Sequence, residues 1–334
     1  MRKIIFILVL ILLSYSIQAG SYAGDFLVIG NGVRAAGMGG AFSAVANDAS
    51  AIYWNSSGLS QLRRTEVSLM RAFLYQNLAS YDNFNFCQPL PNEVTIGFNW
   101  TRLTVDDIPV FLEAHLVKNV DFRSSFYEFN LSGIPDGKIT STDDVLQISF
   151  AKHVHHDLSL GWLFFDLPFD LHFGGNIKYI KRKIDENVGS GTGFDTSILV
   201  RTDLGVLLER DYIGDFALGL NFQDVGGTTI TWDTDSSNED KILFNTKLGL
   251  AFFQPIEAFH SNITLSTDID YIYNKTYHHG LEISYKDNVE GRVGLQNGDF
   301  SAGLSLKLYE FILDYAFITN VIANTNRVGL RFTF

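Results

Sequence analysis

Beyond residue 60 the chain alternates between apolar and polar positions. Residues 215–225 set Phe216, Leu218, Leu220 and Phe222 against Asp215, Ala217, Gly219, Asn221 and Gln223. The same rhythm runs through 241–252, where Ile242, Phe244, Leu248, Leu250 and Phe252 oppose Lys241, Asn245, Lys247, Gly249 and Ala251, and through 261–273 and 299–309. Side chains of an extended chain leave on opposite faces in turn, so each segment predicts a strand with one apolar and one polar face. Weaker segments at 65–75, 81–88, 93–103, 120–131, 145–153, 158–166, 170–183, 194–209, 281–286, 290–296 and 311–317, with the end of the chain, bring the expected count to about 14 to 16 strands. Gly226-Gly227, Asn297-Gly298 and the polar run 233–240 fall between them as turns. No linker interrupts the series, so residues 63–334 read as one all-β body.

Composition narrows what that body is. Aromatic residues make up 14% of the 334 positions, yet mean hydropathy is only +0.08. After the first residues no apolar run reaches the roughly 20 residues that a spanning helix needs. A helical membrane protein is excluded. A closed transmembrane antiparallel β-barrel fits, because each strand then needs only one apolar face and every backbone group finds a partner in a neighbouring strand. The last strand points the same way: Val328, Leu330, Phe332 and Phe334 share one face, Arg327, Gly329, Arg331 and Thr333 the other. Bacterial outer-membrane barrels finish in this manner, which marks Phe332 and Phe334 as the signal for the barrel-assembly machinery and outer-membrane lipid as the surroundings. At the other end Arg2 and Lys3 precede the apolar run Ile4 to Leu13, with small residues at Ala19 and Ala23, so residues 1–23 read as a secretory signal peptide. Its removal takes the formal net charge from −12 to −14, an acidic balance with no footprint for nucleic acid. A soluble β-sandwich shares the alternation but requires neither the signal, the aromatic load nor the terminal Phe. The single Cys87 forms no internal disulfide.

Residues 24–62 break the alternation. They are dense in Gly and Ala, which lets backbones approach closely and suits short helices in a confined space. A barrel of about 14 strands is too wide to be filled by its own side chains, so an internal plug is expected here, a loose lead-in being the other reading. The stretch Gly32 to Gly58, with its Arg-Ala-x-Gly-Met-Gly-Gly-Ala-Phe run and Tyr53-Trp54-Asn55, resembles the N-terminal signature of the PorV/PorQ family of outer-membrane proteins. Segments near the other end are similar too: Arg292 to Leu295, Phe300 to Lys307, Leu313 to Phe317 and Asn326 to Leu330. That family sits within the FadL-like group, and the resemblance implies a 14-stranded barrel with an N-terminal hatch inside. It also implies a non-enzymatic partner of type IX protein secretion; the wider FadL-like resemblance implies instead the passage of hydrophobic small molecules such as fatty acids. In the second case Met38, Phe42, Ile52, Tyr53 and Trp54 are candidates to line an apolar pocket, with Arg34 to hold a head group. Arg34 and Asp48 are expected to pair within the hatch or with the wall. Family members carry Asn-Pro-Ala where this chain has Asn55-Ser56-Ser57, which loosens any transfer of gating behaviour to Asn55. In the secretion case exposed loops such as 233–240 are the expected docking surface for machinery proteins or secreted clients.

Other motifs carry little. Gly30-x-Gly32-x-x-Ala35 matches a dinucleotide fingerprint, but position 55 is Asn and no βαβ pattern follows. His153, His155, His156 and the pair His278-His279 read as exposed or interfacial residues at strand ends rather than metal ligands. Asp233, Asp235, Glu239 and Asp240 lack the glycine and glutamate of an EF-hand and read as a solvated acidic loop. Asp268 and Asp270 share an inward face and would perturb one another if close. No nucleophile and base pair is present, and no cofactor, metal site or enzymatic activity is expected.

Overall fold

In this computed structural model residues 23–111, 135–159, 166–210, 212–234, 238–272, 274–320 and 323–334 are described. The expected signal peptide, apart from Ala23, the candidate strand at 120–131 and the middle of the candidate strand at 158–166 lie outside them, and the described ends of 158–166 belong to two strands that pair with one another. Sixteen antiparallel strands form: β1 Glu66–Leu74, β2 Ala79–Leu90, β3 Val94–Val110, β4 Gly137–Ser159, β5 Asp166–Ile184, β6 Asn187–Asp203, β7 Asp215–Gln223, β8 Thr228–Trp232, β9 Glu239–Ile242, β10 Asn245–Ile256, β11 Ser261–Asp270, β12 Thr276–Tyr285, β13 Val289–Gln296, β14 Asp299–Leu308, β15 Phe311–Ile318 and β16 Thr325–Thr333. Each pairs with its neighbours in order, except that β7 pairs with β10, and β16 returns to β1. The ring is therefore closed with 14 strands, and β8 and β9 stand outside it as a hairpin attached to β6. Closure leaves no unpaired edge, which excludes the sandwich.

Burial is inverted relative to a water-soluble protein. Inward Asn99, Ser197, Asn221, Asp268 and Arg292 are buried, while outward Ile148, Phe150, Phe194, Leu265 and Leu304 are exposed. Outward aromatics gather at both rims, with Tyr285, Tyr309, Phe311 and Phe334 at one and Phe244, Tyr271 and Tyr277 at the other, as the two interfaces of a bilayer demand. Among the described residues no helix is long and apolar enough to cross a membrane.

The strands differ in length. β3 to β6 hold 17 to 23 residues, whereas β12 to β16 hold 8 to 10. The end at which β3 stops and β4 begins, and at which β7 stops and β10 begins, is here called the loop end; residues 62–65 and Phe334 lie at the opposite, turn end. At the loop end β8 and β9 cover a small core of Ala23, Phe26, Val145, Ile180, Ile230 and Ile242.

Two predicted strands are corrected. The segment 194–209 stops being strand at Asp203, whose carboxylate accepts the N–H groups of Gly205 and Val206 and caps the helix Leu204–Leu208. The segment 241–252 is split at Leu243-Phe244, because β9 pairs with β8 while β10 joins the wall.

Candidate functional site

Residues 24–62 lie within the ring. Their regular structure is limited to the helices Asp25–Val28, Val33–Gly37 and Ala51–Trp54 and the 3-10 turn Ser56–Gln61. Such short pieces leave many backbone groups without local partners, and each one buried unpaired costs about 1–3 kcal/mol. Inward polar side chains of the wall meet them. Asp268 accepts the N–H groups of Phe42 (3.0 Å) and Ser43 (2.7 Å), and Glu66 accepts that of Ala49 (2.8 Å). Asn176 donates to the carbonyl of Ile52 (2.6 Å), Asn221 to that of Trp54 (2.9 Å) and Gln223 to that of Tyr53 (3.0 Å). Where the wall has no side chain the backbones touch: a Cβ on Gly294 would stand 2.2 Å from the Gly39 nitrogen, and one on Gly174 would stand 2.2 Å from the Ser57 nitrogen.

Toward the turn end a buried ionic cluster joins this segment to the wall. Arg34 makes a two-pronged bond to Glu282 (2.7 and 2.8 Å) and reaches Asn47 (2.5 Å) and Asp48 (3.4 Å). Glu282 is shared with Arg292, which also meets Glu290 and Ser305. Arg331 pairs with Asp314 at 2.7 Å and approaches Asp48 at 3.9 Å. Burial opposes the charge on Arg34, but Glu282 and Asp48 overrule it and lift the guanidinium pKa well above its ordinary value. With each nitrogen of its guanidinium engaged, Arg34 has little left for a ligand.

Toward the loop end two clefts face outward. One, of about 60 Å³, lies among Val28, Ile29, Trp54, Ile272, Ile318 and Arg327. The other, of about 20 Å³, lies among Leu27, Val28, Tyr53, Lys178 and Asp224. They share Val28, Lys247, Asp270 and Ile272, so the end of the helix Asp25–Val28 and the Lys247–Asp270 pair lie at the boundary between them. Lys247 is paired with Asp270 and lies over the rings of Tyr53 (5.5 Å) and Trp54 (5.1 Å). Arg327 donates to the carbonyls of Gly30 (2.7 Å) and Ile29 (2.6 Å), and its Nε has no partner among the described residues.

No family model matches the chain, and no curated protein does. Solved structures do. The Pseudomonas putida toluene transporter TodX superposes with a TM-score of 0.53 at 8% identity, covering 91% of this chain and 96% of that one. The Ralstonia pickettii toluene transporter TbuX gives 0.50 at 11% identity, covering 91% and 97%. A Pseudomonas aeruginosa FadL homologue gives 0.48 at 10% identity, covering 91% and 97%. This protein is a bacterial outer-membrane β-barrel. Its fold is that of the toluene transporters TodX and TbuX.

Within the barrel the residues singled out in the sequence separate into three places. Arg34 and Asp48 pair with one another in the ionic cluster. Tyr53 and Trp54 line the loop-end clefts, and their rings meet edge to face at 5.0 Å. Met38, Phe42, Ile52 and Asn55 are fully buried in the segment's own core. Asn55 donates to the Ser43 carbonyl (2.7 Å) and accepts from the Ser57 hydroxyl (2.5 Å), while Ser56 bonds Ser197 (2.8 Å). Phe332 is stacked between Phe311 and Phe334.

Three expectations are corrected. His153 and His278 are buried, not exposed: His153 is held by Asp170 (2.8 Å) and stacked on His172, and His278 donates from Nδ1 to the Gly39 carbonyl (2.7 Å). Among the described residues no group of metal-ligating side chains forms. Asp268 and Asp270 do different work, one capping Phe42 and Ser43 and the other pairing with Lys247. The acidic run 233–240 is no free loop in its described part, because Asp233 accepts the Val188 N–H (2.6 Å) and Asp240 in β9 accepts the Trp232 indole N–H (2.8 Å). Glu282, Arg292, Asp314 and Arg327 were not singled out, though charge on the polar face of an alternating strand was the available signal.

Proposed function

We propose that the protein is a non-enzymatic channel for small hydrophobic molecules, with residues 24–62 as its hatch. The observation that carries this reading is the pair of adjoining loop-end clefts, whose apolar lining includes Val28, Ile29, Tyr53, Trp54 and Ile272 and which have Val28, Lys247, Asp270 and Ile272 in common. A water occupies at least 10–15 Å³ of such space, so the clefts as they stand hold a few waters and passage requires the segment to move. Outward displacement of residues 25–30 joins the clefts into one vestibule with Val28, Ile29, Tyr53, Trp54 and Ile272 on its apolar side and the paired Lys247 and Asp270 on its polar side. The polar contact that orients a ligand there is Arg327, in place of Arg34. The names of TodX and TbuX, toluene transporters, agree with this reading. Partnership with type IX secretion rests on the resemblance of residues 32–58 and of segments between Arg292 and Leu330; the described part of 233–240, an expected docking surface, is folded onto the rim.

Uptake of radiolabelled toluene and of radiolabelled oleate by cells lacking their own hydrophobe channels tests the reading. Expression of the protein should raise uptake of at least one several-fold. No rise for either, with secretion proteins recovered stoichiometrically in mild detergent, would overturn it.

A further inference from the structure

One hollow of the described residues lies outside the ring. It measures about 590 Å³ and is bounded by outward side chains of β7 and β10 to β14, among them Phe216, Leu250, Leu265, Leu281, Leu295 and Phe300. Its floor is the backbone at Ala251, Ser266, Gly280 and Gly294. On the inner side of that floor Gly280 and Gly294 meet the backbone of Met38 and Gly39, so no wall side chain intervenes there.

One feature of this hollow is out of keeping with a surface that only repels water. Thr267 and His279 point outward into it and share a hydrogen bond of 3.0 Å between Oγ1 and Nδ1. An ionisable side chain on the lipid face is costly and is retained where it has a use. Bonding to Thr267 leaves Nε2 of His279 facing the hollow with no partner among the described residues. His279 is three residues from the loop-end start of β12, about 10 Å along the strand, which puts it near the edge of the hydrocarbon layer. There a membrane lipid carries its ester or amide linkage, with the acyl chain running inward from it.

We propose that this hollow is a lipid-binding site that seats one acyl chain of a membrane lipid, with the linkage group of that lipid hydrogen-bonded to His279. The apolar lining takes the chain, and the Thr267–His279 pair fixes its depth. A volume of this size lies within the range of built ligand sites, about 300–1,000 Å³. The site is independent of what passes through the lumen.

The full-length barrel in nanodiscs containing phosphatidylethanolamine with a diazirine at mid-chain tests this. Photolysis and peptide mapping should concentrate adducts on residues 250–252, 265–267, 279–281 and 293–295. Leu281→Trp, which fills the hollow, should reduce those adducts at least tenfold. His279→Leu should reduce them several-fold with heat-modifiable mobility unchanged, and His279→Gln should restore them in part. Adducts spread evenly around the wall, adducts indifferent to His279→Leu, or crosslinks to a second copy of the chain in place of lipid would each overturn the proposal.

Discussion

Arg34 joins residues 24–62 to the wall through a two-pronged bond to Glu282. Truncating one partner of a buried ion pair leaves the others uncompensated, a loss of roughly 3–5 kcal/mol. Arg34→Ala should therefore lower the thermal transition of the refolded barrel clearly, and Arg34→Lys, which keeps charge but loses the fork to Glu282, should fall between. An unchanged transition in both would remove the cluster from the account of stability. Arg327 acts at the other end and on fewer residues. Arg327→Ala frees the carbonyls of Ile29 and Gly30, so hydrogen exchange of amides 25–30 should accelerate at least tenfold with the transition moved little. Protection that persists there would show the arm to be held by something else, such as the Tyr53 hydroxyl on the Leu27 carbonyl.

At the scale of elements, the inner wall and residues 24–62 are fitted backbone to backbone. Gly294→Val puts a branched side chain where 2.2 Å separates a bare Cβ from the Gly39 nitrogen. One of the two must retreat, and overpacking of this kind costs about 1–3 kcal/mol. Protease sensitivity of residues 36–44 should rise in that variant while β-sheet circular dichroism stays constant. The wall was legible in the sequence because its alternation states which face each residue takes; Lys247, Asp268, Arg327 and Arg331 were all assigned inward on that basis. Their partners were not legible. Arg34 meets Glu282 across 248 positions, and nothing local to either residue announces the other. The helix Leu204–Leu208 was hidden for a different reason: Leu204, Val206 and Leu208 continue a strand-like rhythm, and only the cap by Asp203 ends it. The burial of His278 depended on a wall contact with Gly39 that no spacing encodes.

At the scale of the whole molecule, β16 closes the ring against β1. Phe334 exchanges backbone hydrogen bonds with Thr65, and its ring is largely exposed. Phe334→Ala should cut the amount of assembled barrel in cells far more than it lowers the thermal transition of barrel refolded in detergent; equal losses would make Phe334 a stability residue only. The unequal strands have a further result. At about 3.3 Å per residue and a tilt near 40°, residues 137–152 of β4, which run from the turn-end start of β3 to the loop end, rise roughly 40 Å, whereas the 8 of β13 rise about 20 Å. The apolar band of such barrels is only about 25 Å tall. One side of the cylinder thus ends near the membrane surface while the other stands well clear of it, a parapet facing a single compass direction. Proteinase K applied to intact cells should nick the parapet near its crest, around Asp185 and Glu186, and spare the connection at Asn297-Gly298. In a crowded membrane, neighbours can draw close on the low flank alone, which gives a round barrel a front and a back.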